Sequence, residues 1–503
     1  MKKRIQNTID KRKEKIAARL EKNEMESVKP VFATSDVEFD ISEKVSAIHC
    51  GGIGIVRQMV NYLGLPEKLN EQVKLLKRHL PYHESDHILN IAYNIICGGR
   101  NLENLELLRN NENYLDALGA PRIPDPTTAG DFLRRFTEED VFALMDCGNE
   151  INVKAWKQGL SKKARRIGII DIDGKIQETY GACKEGIDFT YKKSWGFSTL
   201  VLTEATSGAH LFVANRPGNI LSQENAAYWL DQAITVVKKG FDRVIMRGDT
   251  AYSLTDEFDD WDENGVDFIF GYDARENIVK MAELLPKNAW QEVERRERPI
   301  LSKPRRKKVR TKQAVVKKRG FRCLTLKQEW VSEFEYRPGK CERHYRVVVL
   351  KKRIEESCGQ QVLFDSYRYF FYITNIEDMT AHDLLVLIRK RCNHENKIEQ
   401  LDNGIHALKM PAAEFTANWA YMAIVMLAWN MKSWMGLLLP DQDRRQKIIA
   451  CEFKSFQNWI INIPCQVLRT GRKVVFRFLN YNPWVEIIFV LSDLLKPVRC
   501  SPA

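Results

Sequence analysis

The sequence predicts a multidomain α/β protein built on a mixed β-sheet, and three observations carry that expectation. A chain of 503 residues exceeds a single domain at roughly 150 residues each. Hydrophobic residues at 44% and charged residues at 29% give a chain that buries a core over most of its length. The spacing of apolar residues changes from a helical period to a strand period near Arg166 and returns to a helical one near Ala381.

Taken in order, residues 1–45 read as a basic arm and linker, with helical composition only over Glu14 to Leu20. Residues 46–150 read as a helical region: Val56 to Leu63, Asp86 to Cys97, Leu102 to Arg109 and Thr128 to Phe136. The last helix has a start signal in Asp125-Pro126-Thr127-Thr128, and Thr128-x-x-Asp131 fits a capping box. It carries Arg134 and Arg135 beside Phe132, Leu133 and Phe136, as a helix laid against phosphates would. Residues 160–285 read as the first part of an α/β core. Its strands are Ile167 to Asp173, closed by Gly174, then Ser198 to Glu204 and Ala209 to Ala214. A helix over Gln223 to Lys238 capped by Ser222, a strand Arg243 to Met246, and the pair Leu254 to Asn264 and Val266 to Tyr272 complete it. Residues 286–375 read as a β-rich insertion containing a basic segment, 376–410 as a returning core helix, and 411–503 as a C-terminal helical region. Within that last region Phe415 to Leu438 is apolar enough for a buried helix pair.

Charge is unevenly placed. The chain carries 78 Lys+Arg against 66 Asp+Glu, a net of +12. Residues 1–30 hold ten Lys/Arg and five Asp/Glu, and Lys303 to Arg319 holds ten Lys/Arg and no acid, so the rest of the chain is weakly acidic. Two basic segments of this kind, the second including Arg305, Arg306, Lys307 and Lys308, suit phosphate neutralisation with counterion release and point to nucleic acid. A solvated, solubilising charge run is the plainer reading of the same residues. The opening Met1-Lys2-Lys3-Arg4 stays polar to about Lys44, where a secretory signal would carry an apolar run of roughly 7–15 residues. The longest apolar run, Trp419 to Trp429, falls short of the about 20 residues that span a bilayer. Eleven scattered cysteines without a C-x-x-C pair fit reduced thiols. A soluble cytoplasmic protein with no membrane partner is the expectation.

Acids at strand ends are the first candidates for chemistry; taken singly, each Asp also reads as an ordinary strand-end or turn carboxylate, and Arg391 with Glu395 as a surface pair. Asp171 and Asp173 share one strand face, and Asp173 falls at the carboxyl end, where open α/β sheets place ligands. Asp249 holds the matching place after Arg243 to Met246. On the helix Ala381 to Leu401, Arg391-x-x-x-Glu395 sets a cation and a third acid one turn apart. Carboxylates from neighbouring elements are the oxygen ligands of divalent-cation sites.

Together, Asp173-Gly174 after an apolar strand, Arg247-Gly248-Asp249-Thr250 followed by Tyr252-Ser253, and Arg391-Cys392-Asn393-His394-Glu395-Asn396-Lys397-Ile398 resemble the Asp-Asp-Glu transposases of bacterial insertion sequences. Glu178-Thr179-Tyr180-Gly181, Asn215-Arg216-Pro217-Gly218-Asn219 and Phe268-Ile269-Phe270-Gly271-Tyr272-Asp273 are similar to insertion-sequence family thirteen-eighty, and the likeness covers most of residues 50–435. The resemblance implies a ribonuclease H-like core with a β-strand insertion before the Glu helix. It also implies Asp173, Asp249 and Glu395 as catalytic ligands of two Mg²⁺ or Mn²⁺ ions, with Asp171, Arg391 and Lys397 in support. Its partners would be double-stranded DNA, as terminal inverted repeats and target, and further copies of the chain in a homodimer or higher oligomer. A bacterial, nucleoid-associated location follows from the same likeness. The sequence departs from related families at Ile388, where they place a Tyr, and at Asp402, where they place a Lys, both thought to contact terminal phosphates. Lys397 or His394 is the candidate substitute. The departures keep open a transposase-derived DNA-binding protein that no longer cuts.

Rival motifs are weaker. Ile169-Ile170-Asp171-Ile172-Asp173-Gly174 also resembles haloacid-dehalogenase-like phosphatases, in which Asp171 would be the nucleophile, but Lys175 and Ser253 stand where that family needs a Thr and an acid. His83-Glu84-Ser85-Asp86-His87 matches H-E-x-x-H, but a helix starting only at Ser85 or Asp86 leaves His83 outside it. Gly52-x-Gly54 lacks a third glycine and a preceding strand, and reads as a loop.

Overall fold

The computed structural model describes residues 3–22, 46–79, 81–179, 181, 183–293, 322–358, 361–470, 473–479 and 481–496. The basic segment from Lys303 to Arg319, with Arg305, Arg306, Lys307 and Lys308, lies outside them. The architecture is mixed α/β, with many helices and a large mixed sheet. Contacts divide the chain into two compact units, one of Met1–Arg165, Lys175–Ile220 and Lys397–Ala503, the other of Arg166–Gly174 and Leu221–Asn396.

The first unit is organised on Phe415–Leu438, which is one continuous helix and not the expected pair. Every residue from Ala417 to Leu437 is buried, so the helix has no polar face on which a turn would be favoured. Its polar atoms find partners inside: Trp419 Nε1 donates to Val213 O at 2.6 Å, Trp434 Nε1 to Asn152 Oδ1 at 2.7 Å, and Asn430 bonds both backbone groups of His210 at 2.8 Å. Lys432 is buried as well; its Nζ donates to the carbonyls of Ile449 and Cys451 at the end of helix Gln442–Ala450, and burial pushes its pKa down to about 8. Around it pack Glu138–Gly159, Glu84–Ile96 and the strand His210–Ala214.

Four further sequence expectations change in this unit. Lys3–Lys22 is a single helix, longer than the expected seven residues, and it docks: Ile9 is buried, Arg12 Nη1 donates to Phe478 O, and Lys13 faces Glu486. Helix Ile53–Leu63 starts early enough to absorb Gly54. The C-terminal region includes a hairpin, Cys465–Thr470 with Lys473–Phe478, whose first strand also pairs with Ala47–Ile48. The helix expected at Thr128–Phe136 spans Pro126–Leu133, because Asp125 is its N-cap, accepting Thr128 N–H at 2.8 Å. Thr128 is therefore the third residue of the helix and not the start of a capping box.

The second unit holds a sheet in the order Ile167–Glu178, Arg243–Gly248, Asp267–Tyr272, Gln361–Thr374, Tyr345–Cys358, Arg322–Tyr336, Gln291–Glu292. The first three strands are parallel in register, Ile167 to Asp171 against Arg243 to Arg247 and Ile245 to Gly248 against Asp267 to Phe270. The β-rich insertion is antiparallel and joins the core sheet directly, Phe371 to Thr374 pairing with Ile269 to Tyr272. Strand Ile167–Glu178 runs past Gly174, where the sequence closed it, but its pairing with Arg243–Gly248 ends at Asp171. Helix Ala226–Lys238 opens at Asn225, in the left-handed conformation at φ 57°, and Ser222 does not cap it. The expected helix Ala381 to Leu401 is broken: Ala381–Arg389 ends, Lys390 and Arg391 form a turn, and Cys392–Glu399 begins. Ile388 explains why the first piece stays in place, since it belongs to the apolar cluster with Ile245, Ile269, Val348, Leu350 and Leu384.

Candidate active site

The second unit gathers Asp173, Asp249, Arg391 and Glu395. Asp173 lies two residues past the last parallel pair, on a strand whose alternation aims it to the same side as Asp171. Its Oδ1 accepts Gly174 N–H at 2.8 Å, which fixes the carboxylate and leaves Oδ2 for a cation. Asp249 caps a single 3₁₀ turn, Thr250–Tyr252, and accepts Ala251 N–H at 3.0 Å. That turn lies against the next strand at Gly271, where a Cβ would come within 2.9 Å of Thr250 N and 3.2 Å of the Asp249 carbonyl carbon. Only a glycine lets the Asp249 turn sit so close. Glu395, in the first turn of Cys392–Glu399, is exposed.

Arg391 joins the three acids. Its Nη2 is 2.9 Å from Asp173 Oδ2 and 3.6 Å from Asp249 Oδ2, and its Nη1 is 3.6 Å from Glu395 Oε1. Three carboxylates around one guanidinium leave a formal charge of −2, the complement of a divalent cation. Asp173 shows the crowding: burial, and behind it the charges of Asp249 and Glu395, raise its pKa to about 6 against the pull of Arg391.

Asp171 is placed differently. It is the direct register partner of Arg247 in the parallel pair, and the two side chains form a bidentate ion pair of 2.7 and 2.8 Å at 1% and 2% exposure. Arg247 Nη1 also donates to Leu387 O at 2.6 Å. An acid so enclosed has no free oxygen for a substrate, which removes the nucleophile role that the phosphatase likeness gave it. Arg247 is the partner that sequence reading missed, since it entered only as a motif letter.

Other expectations are also revised. His394 is fully buried and cannot meet a phosphate as placed. Ile388 is a core residue. Lys397 belongs to the first unit, where its Cε lies beside Gly208. Asp402, also there, pairs with Lys175 at 3.1 Å. His87 is buried and stacks on Phe132 at a centroid distance of 4.3 Å, while His83 precedes the helix, so H-E-x-x-H is not a zinc-protease pair.

Beside Asp249 and Arg391, within the second unit, a cavity of about 550 Å³ is lined by Lys352, Arg389, Tyr369, Phe370 and Tyr372. Phe370 is exposed, with Lys352 Nζ 4.3 Å over its ring. In the first unit a separate groove of about 820 Å³ is lined by Lys77, Arg78, Tyr82, Thr128, Asp131 and Arg135 among others. Arg135 is exposed there, whereas Arg134 is engaged by Asp131 at 2.8 Å and Glu414 at 3.2 Å. Lys77 and Arg78 lie in an aperiodic stretch that offered no signal beyond their adjacency. Among the described residues no helix is long and apolar enough to cross a membrane, and Cys50, Cys97, Cys147, Cys183, Cys341, Cys451 and Cys465 are free thiols.

No curated protein matches the sequence. Among solved structures, that of the piggyBac transposase synaptic complex with hairpin DNA is similar over 91% of this chain and 87% of its own, at 8% identity and a TM-score of 0.33. The sequence itself matches the family described as Transposase DDE domain group 1 over residues 39–500, a span that takes in every acid around Arg391. With nearly the whole chain matched, the protein belongs to that DDE transposase family.

Proposed function

We propose that this protein is an insertion-sequence transposase that binds double-stranded DNA at transposon ends and carries out metal-dependent strand cleavage and strand transfer. The observation that carries this reading is the convergence of Asp173, Asp249 and Glu395, from three separate elements, on the single guanidinium of Arg391. The parallel strands bearing the two aspartates, followed by an antiparallel extension and a helix bearing the glutamate, support a ribonuclease H-like core.

The donor set fits Mg²⁺ or Mn²⁺, which take carboxylate oxygens and no thiolate. Asp173, Asp249 and Glu395 would hold two such ions, which when bound would supply activation of the attacking oxygen and charge stabilisation of the leaving one. The chain does the rest. Gly174 and Ala251 N–H groups orient the two aspartates, and Arg391 neutralises part of the acid cluster so that it folds without a bound cation. Lys352 and Arg389, which share the buried Glu329 at 3.8 and 3.0 Å and so keep a net positive charge between them, would face a phosphate, and Phe370 and Tyr369 offer ring faces on which unpaired bases stack. Lys77, Arg78 and Arg135, with the segment Lys303 to Arg319, would grip the duplex backbone, and two ends held together call for a homodimer or larger assembly.

The test is cleavage of DNA carrying the element's own ends, with Mg²⁺ against EDTA, by wild type and by Asp173→Asn, Asp249→Asn and Glu395→Gln. Each variant should lose cutting and keep end binding in a gel-shift assay. End binding without any metal-dependent cleavage by the wild type would instead support the non-cutting descendant.

A further inference from the structure

We propose that His79, His83 and Glu84, in the first unit and outside the acid cluster, form a binding site for a first-row transition-metal ion of the zinc class. Glu84 opens helix Glu84–Ile96, His83 is the residue before it, and His79 comes from the preceding loop. Their ligand atoms, one from each residue, all lie within 4.8 Å of one another.

The buried carboxylate is what turns this proximity into a site. Glu84 is fully buried, and its Oε1 accepts the N–H groups of Leu75 at 3.2 Å and Leu76 at 3.0 Å. Those bonds satisfy one oxygen and favour the ionised form. Oε2 is buried without a hydrogen bond, and the atom facing it, at 3.2 Å, is His79 Nδ1. An ionised carboxylate oxygen in a protein interior demands a cation. The separation itself is informative: two ligands on a tetrahedral ion at about 2.0–2.1 Å each stand about 3.3 Å apart. The His83 ring lies 5.0 Å from that of His79, centroid to centroid, near enough to supply the third ligand by a side-chain rotation. Both histidines are exposed, so such a rotation meets no packing. Asp86, whose carboxylate accepts His83 N–H at 2.9 Å, adds negative charge that offsets the positive end of the helix.

Two imidazoles and one carboxylate select zinc, cobalt or nickel over magnesium, and three protein ligands leave a fourth position for water. A bound ion would tie the His79 loop to the helix start. That loop also carries Lys77 and Arg78, which line the basic groove, so the ion would hold two phosphate-facing cations in place.

Titrating Co²⁺ into the full-length chain carrying Asp173→Asn, which disables the acid cluster, isolates this site from the one in the proposed function. One equivalent should bind, with visible d–d bands of a four-coordinate nitrogen and oxygen site, and Zn²⁺ should displace it. His79→Ala and His83→Ala remove exposed side chains, and each should abolish those bands while the far-UV circular dichroism of the metal-free chain stays that of the parent; His79→Ala should also lower the unfolding temperature in EDTA, because it strips the buried Glu84 Oε2 of the group facing it. Absence of saturable binding in the parent, or binding that survives both substitutions, would overturn the proposal and leave His79 and Glu84 as a simple ion pair. Neither result bears on DNA cleavage, whose failure would leave the Co²⁺ spectrum intact.

Discussion

Asp171→Asn should unfold the second unit before it disturbs any chemistry. The substitution keeps the size of the side chain and removes its charge, and the site it leaves behind is almost closed to water, with Asp171 at 1% and Arg247 at 2% exposure. Two bonds of 2.7 and 2.8 Å are weakened together, and the guanidinium keeps only the Leu387 carbonyl as a strong acceptor. Removing one partner of a buried ion pair costs about 3–5 kcal/mol, against a typical domain stability of about 5–15 kcal/mol. With urea slopes of about 1–3 kcal/mol per molar, the second unit's unfolding midpoint should fall by about 1–5 M. The assay is urea unfolding in EDTA followed by tryptophan fluorescence, beside end cleavage at low temperature. Replacing both partners, Asp171→Leu with Arg247→Met, should recover most of the loss, because the pair's own net contribution is small once no charge is stranded. An Asp171→Asn protein with the wild-type midpoint and no cleavage would refute this reasoning and return Asp171 to the chemistry.

Three further outcomes follow from the same geometry. In EDTA, Asp173 with its pKa raised to about 6 binds its proton more tightly folded than unfolded; its contribution is therefore present in full below about pH 4 and lost as pH rises through 6, so the unfolding temperature of the wild type should fall relative to that of the non-titrating Asp173→Asn as pH rises from about 4 to 7. A flat difference from pH 4 to 7 would count against the crowded-acid picture. Arg391→Gln should lower the unfolding temperature in EDTA and enlarge the rise on adding millimolar Mg²⁺, since the cluster then lacks its internal cation; equal EDTA values would show that Arg391 does not balance it. Replacing Arg305, Arg306, Lys307 and Lys308 by Ala should weaken DNA binding and flatten the slope of log K against log salt by about 0.9 per lost phosphate contact, whereas an unchanged slope makes the segment a solubility feature.

Much of the second unit was legible because its signals are local. Ile167 to Asp173, Arg243 to Met246 and Val266 to Tyr272 are short apolar runs closed by Gly or Asp, and the structure places strands over each. The helical piece bearing Glu395 was also readable, as an acid one turn from an arginine. What failed was whatever residue type and spacing leave undecided, whether the deciding partner is near in sequence or far. The break at Lys390 and Arg391 has no proline or glycine to announce it. Asp125 outcompeted Thr128 as a cap, and only the observed bond to Thr128 N–H separates two sequences of capping residues that read alike.

Asp171 and Arg391 show the same limit at the site itself. Two aspartates two residues apart on one strand face are equivalent in sequence, and either can be taken for the ligand. Register separates them: Asp171 falls opposite Arg247 at the last rung of the parallel pair and is neutralised there, while Asp173 stands beyond the pairing, with one oxygen turned to Arg391. A strand slipped by two residues would exchange their roles without changing a single motif. The arginine that the sequence offered as a helper to Glu395 alone thus proves to be the common partner of all three acids, with Asp173 and Asp249 reached from elements more than 140 residues away in the chain, which no local spacing announces.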